Sequence, residues 1–144
     1  MKIGFTGTQE GMTDKQREEF HHILLILGSA KEFHYGDCIG ADADAFKIVL
    51  QHPNIKTICH PPKNPKKRAF TKAHLFKTAE EYLIRNQHIV DECDMLIACP
   101  KDSVEELRSG TWATVRYARR TLKRLLIIFP DGSTTQEIRR GPRA

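Results

Sequence analysis

Residues 78–100, TAEEYLIRNQHIVDECDMLIACP, decide the fold class. In their first half, Tyr82, Leu83, Ile89, Val90 and Cys93 recur at helical spacing. In their second half, Asp94–Cys99 is a short apolar run that Pro100 stops, the signature of a buried strand. A helix about 78–92 thus runs straight into a strand, which is one step of a βα repeat. Asn86 falls inside the apolar stripe and Arg85 at its edge. A polar group there costs free energy unless paired, so Asn86 either bonds to backbone or points with Arg85 into a crevice. In the first case Arg85 snorkels outward; in the second it meets an anion.

The same step repeats in both directions. Lys2–Thr6, Glu32–Tyr35, Ile55–Cys59 and Leu125–Phe129 read as further strands. Between them lie a helix capped by Thr13 or Asp14, with Phe20, Ile23, Leu24 and Leu27 on its apolar face, and a helix from about Ala41 to Gln51. A last helix spans about Ser109–Lys123. The order β-α-β-α-β-α-β-α-β predicts an α/β fold: a doubly wound, mostly parallel sheet of about five strands with helices on both faces. Residues 1–132 are expected to form the domain and 133–144 a basic, flexible tail. Residues 61–77 read as long and irregular. Sheets of this kind bind ligands beyond the strand carboxyl ends, at the switch point in strand order.

Composition narrows the function. With 40% hydrophobic and 28% charged residues in 144, disorder is excluded for the bulk of the chain. No apolar run is long enough to span a membrane, and MKIGFTGTQ has no signal-peptide h-region. Cys38, Cys59, Cys93 and Cys99 form no CxxC pair, which predicts reduced core thiols and a cytoplasmic location. Cys59–His60 is the one adjacent Cys/His pair, so no metal site is expected. The net charge of +5 fits an anionic partner. It is concentrated in His60–Lys77, which carries Lys63, Lys66, Lys67, Arg68, Lys72 and Lys77 and no acid, and in Arg139, Arg140 and Arg143.

Three loops leave strand ends in small-residue form. The first contains Thr6, Gly7, Thr8 and Gln9; the second Gly36, Asp37, Gly40 and Ala41; the third Ser109, Gly110, Thr111 and Trp112 at a helix start. Glycine admits close backbone approach, and a helix amino terminus offers free N–H groups to an anion. With Arg85 and Asn86, these residues are the expected ligand-binding set. Neither GxxxxGK[ST] nor GxGxxG occurs, so no dinucleotide cofactor is expected.

These segments resemble the SLOG superfamily of Rossmann-like nucleotide-binding domains, which joins DNA-processing protein A to the "lonely guy" phosphoribohydrolases. Thr6-Gly-Thr is similar to the family's first loop. Tyr35-Gly-Asp-Cys-Ile-Gly-Ala-Asp-Ala is similar to its GGAxGAD segment. Arg85 to Ala98 is similar to its RxxxMxxxaDxxIa signature, and Ser109-Gly-Thr sits at its glycine-rich phosphate loop. The resemblance implies binding of a nucleotide or nucleotide-derived ligand, hydrolysis of the N-glycosidic bond of a nucleoside 5′-monophosphate, and a homo-oligomer. It places Arg85 at the family's catalytic arginine. The motif glutamate has no counterpart, because Trp112, Ala113 and Thr114 follow Thr111. Glu106, from the inserted 101–108, and Asp42 are the expected substitutes, with Glu105, Asp37 and Asp44 as further candidates. The alternatives are a sensor or sequestering module for a signalling nucleotide, and a nucleic-acid-binding protein using the 63–77 basic run.

Overall fold

A computed structural model describes residues 1–138. Among the described residues, seven strands and four α-helices follow one another along the chain. In order they are β1 (Lys2–Gly7), α1 (Asp14–Ile26), β2 (Glu32–Tyr35), α2 (Ala41–Val49), β3 (Lys56–Cys59) and β4 (Leu75–Phe76). They continue with α3 (Tyr82–Glu92), β5 (Met95–Cys99), α4 (Gly110–Arg120), β6 (Arg124–Ile128) and β7 (Thr134–Glu137). The sheet order is β4-β3-β2-β1-β5-β6-β7, parallel except for β7. The expected α/β, doubly wound architecture is present, with α1 and α2 over one face and α3 and α4 over the other.

β5 and β6 each divide their side chains between two cores with period two. Met95, Ile97 and Cys99 of β5 enter the α1/α2 core, while Leu96 and Ala98 enter the α3/α4 core. The first core contains the ring series Phe5, Phe20, Phe33, Tyr35 and Phe46, with successive centroids 5.3–6.1 Å apart. The second is built from Ile89, Val90, Trp112, Val115, Leu125 and Ile127. Thr13, rather than Asp14, caps α1 through a reciprocal box with Gln16. The buried Gln16 amide then donates to the carbonyls of Pro100 and Ile128, both at 2.9 Å, tying α1 to two strand ends.

Two strands exceed the expected five. β4 arises inside the stretch read as irregular and pairs parallel with β3. β7 arises inside the stretch read as a flexible tail and pairs antiparallel with β6. Both are edge strands with mostly exposed side chains, so neither carries the burial pattern by which strands are recognised. Arg119 fastens β7 to α4 by a two-pronged pair with Glu137, 2.9 Å at the shortest. Arg139, Arg140 and Arg143 lie outside the described residues. The four cysteines are buried and free. Among the described residues no helix is long and apolar enough to cross a membrane.

Candidate functional site

β1 pairs with β2 on one side and β5 on the other. Chain order reverses between β1 and β5, so their carboxyl ends splay the loops that follow and open a crevice. A cavity of about 520 Å³ occupies it. Thr6, Gly7, Thr8 and Gln9 form one wall, Gly36 and Asp42 a second, and Arg85 and Asn86 of α3 the floor; Glu106, Ser109, Gly110, Thr111 and Trp112 close it from the α4 side.

Asp37, Gly40 and Ala41, expected in the site, do not line the cavity. They brace it. Ala41 N–H donates to the Thr8 carbonyl at 2.9 Å. A Cβ on Gly40, whose φ is +94°, would run into the Gln9 backbone, which only glycine allows. Asp37 is fully buried and turned away. It accepts from Arg68 Nε at 2.7 Å and from the Thr71 amide at 3.0 Å. It thereby ties the basic 61–77 segment over the second loop, where Ile39 N–H also donates to the Lys67 carbonyl. Two other candidate acids are likewise occupied. Asp44 accepts from the Met12 amide and Arg17, and Glu105 pairs with Arg116 and Arg119.

Arg85 is 5% exposed, so it neither snorkels outward nor sits at the edge of the buried face. Leu83, expected on that face, is instead 70% exposed. α3 is turned so that the arginine reaches the second loop. There Nη1 donates to the Gly36 carbonyl at 2.5 Å, and Nε to Asn86 Oδ1 at 2.7 Å. Among the described residues, the hydrogen-bond partner of Nη2 is the Cys38 sulfur, at 3.6 Å. Gly36 makes this possible, since a Cβ there would overlap Nη1 and Cζ of Arg85. Asp42 lies beside them, 6% exposed, accepting from the Cys38 amide at 3.0 Å. Burial pushes its carboxyl up to about 6, against the opposing pull of Arg85 and the Cys38 amide. Burial likewise raises the Cys38 thiol, with Asp42 adding to the effect and Arg85 opposing it.

The α4 side supplies the anion-compatible surface. Ser109 Oγ accepts from the Trp112 amide at 3.2 Å, so the cap leaves the Gly110 and Thr111 amides uncommitted. Two buried polar atoms of cavity residues, Tyr82 Oη and Trp112 Nε1, have no hydrogen-bond partner among the described residues. Such atoms are rare because each costs the desolvation of a donor. The sequence reading missed Glu10, Cys38, Lys67, Tyr82 and Lys101 as lining residues. Lys67 was visible only as part of a charge run, and Tyr82 only as part of an apolar stripe.

This arrangement can be compared with known proteins. DNA processing protein A (DprA) from Streptococcus pneumoniae superposes on it with a TM-score of 0.66 and 18% identity, over 88% of this chain and 49% of that one. The shared fold is an α/β, Rossmann-like one. The molybdenum cofactor binding protein from the phototrophic bacterium Rippkaea orientalis superposes with a TM-score of 0.67 and 22% identity, over 90% and 77% of the two chains. DNA processing protein A from Helicobacter pylori, described for its single-stranded DNA binding mode, gives 0.63 and 18%, over 88% and 64%. This chain therefore spans about half the length of the pneumococcal protein. No family model matches the chain, and no curated protein is significantly similar to it in sequence. At these identities the likeness is one of fold.

Proposed function

We propose that the cavity binds a nucleotide or nucleotide-derived ligand, with its phosphate on the Ser109–Thr111 helix start. The observation that carries this reading is the convergence, in one crevice, of an open helix amino terminus with a buried arginine whose Nη2 is hydrogen-bonded, among the described residues, to a thiol alone. A helix start attracts phosphate through its unpaired amides and its dipole. Arg85 supplies a fixed planar donor for phosphate or ribose, and Asn86, whose Oδ1 is held by Arg85, keeps its amide N–H groups for the ligand. Tyr82 and Trp112 bring the two unpartnered donors.

The finer reading is hydrolysis of a nucleoside 5′-monophosphate. Water adds to the anomeric carbon, the C–N bond breaks, and the base leaves with a proton. A sugar cation develops in the transition state, so a carboxylate beside it lowers the barrier. Glu106 is the acid on the phosphate side of the cavity, and Asp42 is the acid on the arginine side, with a pKa raised toward the range of a proton donor. Incubation with a panel of nucleoside mono-, di- and cyclic phosphates tests both levels. The expected result is a rise in melting temperature, with free base and ribose 5-phosphate released from a monophosphate. A shift without release identifies a sensor or sequestering module. No shift at millimolar ligand overturns the proposal.

A second reading, single-stranded nucleic acid, is favoured by one feature. The Arg68 guanidinium lies 4.7 Å from the ring of exposed Phe70, within the basic segment beside the cavity. An aromatic–arginine platform of this kind stacks on bases. Binding of an oligonucleotide that weakens steeply with salt and is lost in Phe70→Ala would support it.

A further inference from the structure

Outside the cavity, on the α3 side of the sheet, three metal-ligating side chains meet. His34 is the middle of β2, and strand alternation turns it away from Phe33 and Tyr35. His60 follows β3, the strand paired with β2. Glu92 ends α3, two turns and roughly 10 Å beyond Arg85. His34 Nδ1 and His60 Nε2 are 2.9 Å apart. Glu92 Oε2 lies 3.2 Å from His60 Nε2 and 3.5 Å from His34 Nδ1. Both imidazoles are about 3% exposed, whereas Glu92 reaches solvent. We propose that His34, His60 and Glu92 form a site for a divalent transition-metal ion of the zinc class.

Three observations carry this. The first is spacing: donors held about 2.0–2.1 Å from a tetrahedral ion lie about 3.3 Å from one another, and the three separations here bracket that value. The second is proton count. His34 Nε2 faces Glu32 Oε1 at 2.8 Å, which assigns its N–H to that carboxylate and leaves a lone pair on Nδ1. One proton on His60 Nε2 then has to serve both that lone pair and the Glu92 carboxylate. Three acceptor atoms thus share one proton, and a metal ion, displacing that proton to solvent, meets all three at once. The third is the outer shell. A carboxylate behind a ligating histidine fixes the tautomer and raises ligand basicity, and Glu32 holds that position. Lys77 sits 3.6 Å from Glu92 Oε1, the other carboxylate oxygen, so Oε2 remains directed at the histidines. With three protein ligands on a solvent-reaching side, the fourth position is a water. Imidazole and carboxylate donors suit zinc, cobalt and nickel better than magnesium or calcium.

The full chain, stripped with chelator and titrated with Co(II), tests this independently of the cavity ligand. The expected result is one equivalent bound, with the intense visible bands of a tetrahedral Co(II) site, displaced by Zn(II). His60→Gln and Glu92→Gln each abolish these bands. Glu32→Gln weakens binding 10–100-fold, the usual cost of losing an outer-shell partner. His22→Asn, on the far helix α1, leaves binding unchanged. Glu92 is partly exposed, so its variant keeps the test decisive if His60→Gln fails to fold. Absence of stoichiometric Co(II) binding, or wild-type binding in Glu92→Gln, overturns the proposal in favour of a plain histidine–histidine hydrogen bond.

Discussion

At the scale of single residues, Arg85 and Asp42 are coupled through Gly36. Removing the guanidinium leaves the Gly36 carbonyl without its donor and Asp42 without its nearby cation. Arg85→Ala is therefore expected to destabilise the fold by roughly 1–3 kcal/mol, read from the urea midpoint, as well as to weaken nucleotide binding. Arg85→Lys rescues little of either, because a point charge cannot replace the planar fork. Asp42 sets a pH dependence. Its folded pKa, about 6, exceeds the ordinary 3.8. Between these values the unfolded chain has lost the proton that the folded chain still holds, so this group's contribution lowers stability as pH rises, and levels off above about 6. The stability of Asp42→Asn relative to wild type should accordingly grow from pH 4 to pH 6 and then stay constant; a difference flat across that range would show that the carboxyl titrates normally. Gly110 separates site from scaffold, because a Cβ there meets nothing within 4 Å. Gly110→Asp should fold within about 0.5 kcal/mol of wild type, yet bind nucleotide at least ~10-fold more weakly, because its carboxylate takes the place of the phosphate. Unchanged calorimetric affinity in this variant would move the anion site away from α4.

At the scale of elements, one buried acid anchors the side chains of the basic 61–77 segment beside its backbone bonds. Asp37, at φ +57°, receives Arg68 and Thr71, and the segment runs back beside the second loop as an isolated bridge between Cys38 and Arg68. Arg68→Ala leaves the Asp37 carboxylate buried without its cation, which should cost roughly 3 kcal/mol. It should also loosen the backbone at the already exposed Lys63, Lys66 and Lys67 and speed its cleavage by trypsin under native conditions. If digestion of the folded variant matches wild type, the segment is held by its backbone bonds and not by the ion pair. The two edge strands show the limit of pattern reading. β5, buried over all five residues, is plain in MLIAC, whereas Leu75–Phe76 and Thr134–Glu137 are strands because a neighbour offers unpaired backbone groups. Their own side chains, mostly exposed, leave no periodic trace.

At the scale of the whole molecule, ligand binding and folding are linked. A nucleotide bound by the folded state alone, present at a hundred times its Kd, adds about 2.7 kcal/mol of stability. For a domain of this size that is a rise of several degrees in melting temperature. The rise should vanish in Gly110→Asp and persist in Glu92→Gln, which lies at the other cluster. Loss of the shift in both variants would mean that cavity and histidine cluster are one energetic unit.

The order of strands and helices, the two-sided core and the three loops at strand ends were determined by the sequence itself, because each inner element must bury one face and so repeats its apolar residues at its own period. The glycines at 36 and 40 marked where backbone comes close to something. What came close was settled only by tertiary structure. The rotation of α3 made Arg85 a buried donor to Gly36 instead of a surface cation. The diversion of Asp37, Asp44 and Glu105 into ion pairs left Asp42 and Glu106, beside a Glu10 that faces Lys101, as the acids lining the cavity. The meeting of His34 with His60, 26 residues away, depends on the parallel register of β2 and β3, which local spacing does not encode. Periodicity reports which side of an element is buried. The partner across the interface depends on strand order and register, and these are settled by the packing of the whole chain.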